Sequence, residues 1–148
     1  MSACLILQNW WATTKADVAA GGSSAPQIEA LARRYQLHIP DDFREYLAEC
    51  CPLEENWDDE MGNWWPLARI KNIPDEYDHG LPGFISHSDD KFVFFLDHCI
   101  WCWAWAISCA EDETRGKVAL IGHPNERYVA DSFTEFVDRY TSDWLSVA

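Results

Sequence analysis

The sequence predicts an α+β fold, a single domain over residues 1–148. Helices flank a central antiparallel sheet of about five to six strands, the usual size for a sheet. Three observations carry this. Apolar residues recur at helical spacing in the first third of the chain. Apolar runs with strand character then follow one another with no helical stretch between them, which implies antiparallel pairing. A last helical pattern closes the chain, so helices and strands are segregated.

Residues 1–20 hold Leu5, Ile6, Leu7, Trp10 and Trp11, a pattern that fits a helix or a docked arm. Gly21-Gly22-Ser23-Ser24 is a break. Ser24-Ala25-Pro26-Gln27 reads as a helix start: a serine cap, a proline in the first turn and a glutamine completing a capping box. Ile28, Leu31, Ala32 and Tyr35 then make one apolar stripe. Pro40 starts a second helix, because a helix's first amide hydrogens have no helical partner to lose. Asp41 and Asp42 fall in its first turn, where the helix dipole favours negative charge. Phe43, Leu47 and Cys50 face inward, and Tyr46 broadens that face.

Pro52 ends this helix, and an acidic, partly aromatic loop runs to about residue 62. Trp64-Trp65-Pro66-Leu67 leads into the sheet region. Residues 72–83, with Pro74, Gly80, Pro82 and Gly83, read as an irregular connection. Phe84-Ile85 and Lys91–Leu96 read as strands around a Ser88-Asp89-Asp90 turn. From Cys99 to Cys109, Trp101, Trp103, Trp105 and Ile107 alternate with Cys102, Ala104, Ala106 and Ser108. Period two predicts a strand with one bulky face and one small face, the small one suited to a closely packed helix. Glu111–Lys117 is a polar loop, Val118–Ile121 a strand, and Tyr128–Ala130 a short final strand. Ser132-Phe133-Thr134-Glu135 is a second capping box. Phe133, Phe136, Val137 and Tyr140 follow at helical spacing.

Composition bounds the function. With 148 residues the chain buries roughly 70% of its unfolded surface and needs no disulfide or metal to fold. Its 48% hydrophobic and 14% aromatic content is that of a folded globule. The net charge of -14 argues against direct binding to nucleic acid or an anionic membrane, both of which need basic patches. A basic protein partner fits instead. The charge is concentrated: residues 41–60 hold nine acids against Arg44, a net -8. Met1–Trp11 has no basic n-region, and no stretch approaches the ~20 apolar residues of a membrane span. Six cysteines without a secretory signal predict a cytoplasmic chain with reduced thiols.

Three stretches in order resemble the SUKH superfamily. They are Ile39-Pro40-Asp41-Asp42-Phe43-Arg44-Glu45-Tyr46-Leu47, Trp64-Trp65-Pro66-Leu67 and Ala130-Asp131-Ser132-Phe133-Thr134-Glu135-Phe136. The resemblance covers about residues 25–142. It departs at Cys50-Cys51-Pro52, where relatives commonly carry an Asn-Gly-Gly-like turn. The resemblance implies a non-enzymatic immunity protein. It would bind and neutralise a cognate bacterial toxin domain, with a basic nuclease as the expected class, and need no cofactor or metal. The alternative it implies is an intracellular regulatory or scaffold module. For the partner-binding surface, the residue types point to Glu54, Glu55, Trp57, Asp58, Asp59, Glu60 and Trp64. Tryptophan anchors with an acidic rim suit a basic protein. Trp57, Trp64 and Trp65 are expected to be exposed, and Trp101, Trp103 and Trp105 to form one packed face.

Other chemistries compete less well. Cys99-Ile100-Trp101-Cys102 is a CxxC near His87, His98 and His123, but no second cysteine pair accompanies it. Within a strand its thiols would face opposite ways, so they are expected to be buried and structural. A thioredoxin-like motif would need a strand-to-helix junction. A hydrolase would use Cys50 or Cys51 with His79, His87 or His123 as base, amid acids that blunt a thiolate. Asp58-Asp59 and Asp89-Asp90 read as turn residues rather than a cation site.

Overall fold

In the computed structural model, which describes residues 1–80, 82–85 and 88–148, three helices precede the sheet. Helix α1 (Ala3–Thr14) is capped by the Ser2 hydroxyl. Helix α2 (Ala25–Tyr35) starts with the complete Ser24–Gln27 capping box and ends at Gln36 in the left-handed conformation. Helix α3 (Asp41–Glu49) begins after Pro40 and buries Phe43, Tyr46 and Leu47. A short helix α4 (Ile73–Glu76), capped by Asn72, interrupts the connection between the second and third strands. Helix α5 (Phe133–Ser142) follows the last strand, with Ser132 accepting from the Glu135 amide.

Among the described residues the sheet is a six-stranded antiparallel meander with the strands in sequence order. Its strands are β1 (Asn56–Trp57), β2 (Gly62–Trp64), β3 (Phe92–His98), β4 (Trp103–Ser108), β5 (Val118–Ile121) and β6 (Arg127–Ala130). One face carries the aromatic core. Phe95 lies among Phe43, Phe133 and Phe136, with ring centroids 5.4–5.7 Å away. Trp105 packs on Phe136 and Tyr140 at 5.8 and 5.6 Å. Each such ring contributes about 1.5–3 kcal/mol by burial. The N-terminal segment, which the sequence left between helix and arm, is therefore a helix docked on this core: Trp10 meets Tyr140 edge-on at 5.7 Å and Trp11 meets Trp64 at 5.8 Å.

Four expectations need correction. Phe84-Ile85 is no strand: Gly83 and Phe84 form a turn. Phe84 leaves the sheet to pack edge-on against Tyr128 at 4.9 Å. The stretch after β3 is not yet strand either. Cys99, Ile100 and Trp101 all adopt left-handed φ values, 49°, 56° and 61°. Pairing resumes only at Trp103, so Trp101 does not share a face with Trp103 and Trp105. Its ring stacks instead on Tyr77 at 5.5 Å. Third, the bulky face of β4 lies beneath α5, not the small one. Ala104 and Ala106 stand opposite Asp97 and Phe94. On that side Phe94 packs against Trp65, Tyr77 and Trp101. Fourth, the acidic segment is not all loop, because Asn56–Trp57 and Gly62–Trp64 form a hairpin.

Candidate functional site

The sequence-predicted site residues all fall on the β1–β2 hairpin and its approach, but register sorts them onto two faces. Directly opposed residues share a face of a sheet. Trp57 stands opposite Asn63, and Asn63 opposite Asp97. That row lies on the side away from α1, α3 and α5. Asn56, Trp64 and Leu96 make the neighbouring row, whose Trp64 packs against Trp11, Tyr46 and Tyr140 at 5.5–6.0 Å. Trp64 is 0% exposed and Trp65 equally buried, so neither is the surface anchor expected of it. Trp57, 44% exposed on the edge strand, remains.

Asp58 is likewise not a surface charge. It is 7% exposed. Its Oδ1 accepts from the amides of Glu60 and Gly62, both at 2.8 Å. Its Oδ2 accepts from Trp64 Nε1 and the Tyr140 hydroxyl, both at 2.8 Å. Burial pushes its pKa up, and these donors pull it back. One side chain thus closes the hairpin turn and ties it to α5. The turn needs glycine at position 62: a Cβ there would stand 2.0 Å from the Tyr140 oxygen and 2.7 Å from Asp58 Oδ2.

Glu54, Glu55 and Asp59 are exposed and Glu60 half-buried. Burial, then the Asp58 and Asp59 charges, raises the Glu60 pKa. Apolar residues stand among these acids: Leu53, Met61 and, at 82% exposure, Ile100. Ile100 reaches this neighbourhood because the Cys99 amide donates to the Met61 carbonyl at 3.0 Å, joining the acidic turn to the left-handed turn. A left-handed β-branched residue is strained. The Trp101 amide donating to Asp97 Oδ2 at 2.8 Å and the Cys102 amide donating to the His98 carbonyl at 2.8 Å hold that turn.

Between the two turns lies a groove of about 200 Å³, lined by Glu55, Trp57, Asn63, Arg69, Asp97 and Ile100, with Trp101 behind. Glu55 pairs with Arg69 and accepts from Asn63 Nδ2 at 2.9 Å. Arg69 lies 4.0 Å over the Trp65 ring and 3.7 Å from Asp97 Oδ1. Asp97 Oδ1 also accepts from Trp65 Nε1 at 2.6 Å. Sequence reasoning missed Met61, Asn63, Arg69, Asp97 and Ile100, which meet only through β2–β3 pairing.

The rival chemistries find little geometry. Cys50 and Cys51 are fully buried. The Cys50 thiol is pushed up by its hydrogen bond with Cys4 and then by burial. Burial pushes Cys51 up to about 12. Neither thiol is placed to meet a solvent-borne substrate as a thiolate. His87, one candidate base, lies outside the described residues. Cys99 and Cys102 do not face opposite ways along a strand but share the left-handed turn, with Cys102 Sγ 3.1 Å from the Cys99 carbonyl. Nor are they buried, as expected of structural thiols: Cys102 is exposed and Cys99 partly so. Among the described residues no three His, Cys, Asp or Glu side chains are grouped to hold a metal ion. No helix among them is long and apolar enough to cross a membrane. Asp89 and Asp90 lie in a 3₁₀ turn, as their turn chemistry predicts.

No curated protein gives a match to this chain. Residues 22–139, which contain all three motifs and run from the α2 cap into α5, match the SMI1 / KNR4 family (SUKH-1), and the chain belongs to that family.

Proposed function

We propose that this chain is a non-enzymatic immunity protein. It binds a cognate bacterial toxin domain in the cytoplasm and neutralises it by direct contact, through the acidic surface around the β1–β2 hairpin. The observation that carries this is Trp57, left 44% exposed on an edge strand amid exposed Glu54, Glu55 and Asp59 and half-buried Glu60. A tryptophan in water forgoes about 1.5–3 kcal/mol of burial, which association recovers. The acidic rim selects a basic surface, such as the phosphate-binding cleft of a nuclease, and speeds encounter with it.

The surface is preorganised. The buried Asp58 bonds fix the turn, and the pairing of β1 to β2 and β2 to β3 fixes the edge. Ordering costs that weaken flexible binders are thereby reduced.

The test is co-expression with bacterial toxin domains of the basic nuclease class, one at a time. Restored growth together with a co-eluting complex supports the proposal. Killing without a complex overturns it for that partner, and the regulatory or scaffold reading then leads.

A further inference from the structure

Resting on that reading of the surface, we propose that the groove between Trp57 and Ile100 receives one arginine side chain of the partner. The groove's charges are unequal. Glu55 and Asp97 supply two carboxylates, and Arg69 is the one cation among the described lining residues. Glu54 and Asp59 stand exposed nearby in sequence, with no base between residues 45 and 68. An entering carboxylate or phosphate would add a third negative charge. It would also find the obvious donors taken: Arg69 is bound to Glu55 and Asn63 Nδ2 to both carboxylates. An entering cation instead offsets the two carboxylates, of which Asp97 is already engaged by Asn63, Trp65 and the Trp101 amide.

One carboxylate oxygen stays open. Asn63 is 5% exposed. Its Nδ2 donates to Glu55 at 2.9 Å and to Asp97 at 3.3 Å. Two carboxylate acceptors settle which end of the amide is nitrogen. Its Oδ1 therefore faces neither carboxylate; it is enclosed by the fold, out of reach of a group entering the groove, and has no hydrogen-bond partner among the described residues. The open oxygen is the second oxygen of exposed Glu55, because the Asn63 and Arg69 bonds both go to Oε1.

Shape selects the kind of cation. Trp57 supplies one flat wall and Ile100 an apolar post opposite, held out by its left-handed turn. A guanidinium stacks on indole and presents a planar fork of donors, and its methylene stem can run along the isoleucine. A lysine ammonium, a strongly hydrated point charge, gains the Coulomb term but not the stacking. Arg69 already shows the mode within the fold, its guanidinium 4.0 Å over the Trp65 ring.

The experiment needs no toxin. ¹⁵N-labelled full-length protein is titrated with acetyl-Gly-Arg-Gly-amide and with its lysine and citrulline counterparts. The Trp57 indole N–H and the Asn63 side-chain amide report binding. With the arginine peptide both signals shift saturably. The lysine peptide binds several-fold more weakly, and the neutral, isosteric citrulline peptide gives no saturable shift. Trp57→Ala and Glu55→Gln each weaken binding about fivefold, the equivalent of roughly 1 kcal/mol for an exposed cation–π contact. Glu113→Gln, in the loop at the far end of β4, changes nothing. Equal response to lysine or citrulline, shifts spread over the acidic surface without saturation, or no shift at Trp57 and Asn63 overturns the assignment. Rescue from toxin with no arginine response would sink this groove while leaving the immunity reading intact. An arginine response with no rescue would do the reverse.

Discussion

Gly62→Ala places a methyl group in a space already filled by a hydrogen bond. The built Cβ stands 2.0 Å from the Tyr140 oxygen and 2.7 Å from Asp58 Oδ2, in the middle of their 2.8 Å bond. The Tyr140 ring is packed by Trp10, Trp64, Trp105 and Phe136, so the hydroxyl has nowhere to retreat. Losing a hydrogen bond to a charged acceptor costs about 1.5–3 kcal/mol, and a buried hydroxyl left unmatched adds about 1–3. Replacing glycine recovers about 0.4–1 kcal/mol from the unfolded chain. The net expectation is a loss of about 3 kcal/mol. Tyr140→Phe alone removes one of the donors to Asp58 and costs about 2 kcal/mol. It also removes the atom the methyl strikes. The double variant should therefore lose about 3 kcal/mol rather than the sum of about 5, a coupling of roughly 2 kcal/mol. Urea midpoints for the wild type and three variants measure this directly. Additive losses would refute the idea that position 62 is glycine because of the Asp58–Tyr140 bond.

Further outcomes follow from the same geometry. Burial raises the Asp58 pKa above its ordinary 3.8, so its protonated form stabilises the fold fully below that value, and this contribution is lost as pH rises through the raised value. The stability margin of wild type over Asp58→Asn should accordingly shrink with rising pH across that window in urea titrations; a widening margin would contradict it. Trp64→Ala should cost about 3–5 kcal/mol of stability. Trp57→Ala should stay within about 1 kcal/mol yet lose at least about tenfold in partner affinity. Calorimetry and denaturation together separate the two, and unchanged affinity for Trp57→Ala would place the binding site elsewhere. A thiol reagent on the folded protein should label exposed Cys102 first and half-buried Cys99 next, with Cys4, Cys50, Cys51 and Cys109 reacting only after unfolding; early labelling of Cys50 or Cys51 would reopen nucleophilic chemistry there.

Helices were legible because their signals are local. The Ser24–Gln27 box and the Phe133–Tyr140 stripe lie within one or two turns of chain, and both appear as read. The antiparallel pairing of β3 to β6 followed from the lack of helices between those strands. What failed depended on distant partners. Alternation from Trp101 to Ile107 looked continuous, yet Trp101 is drawn off by Tyr77, Glu76 and Asp97, the latter two bonding its indole and backbone nitrogens. Asp58 and Asp59 are adjacent and alike, but Tyr140, far away in sequence, buries one and leaves the other in water. Trp57 and Trp64 looked like equivalent anchors. A hairpin whose turn sits at residues 58–61 puts them on opposite faces, and no local pattern announced that hairpin. The candidate surface was therefore half legible: its charge came from composition, its groove from β2–β3 pairing.

The most direct test of the central claim compares two forms of this chain against one toxin. Cells carrying that toxin would express either the wild type or a variant with Glu54, Glu55, Asp59 and Glu60 all changed to glutamine, its fold verified by circular dichroism and its expression matched. Growth with the wild type and killing with the variant are the expected results. Equal rescue by both would contradict it and move the toxin-binding surface away from the β1–β2 hairpin.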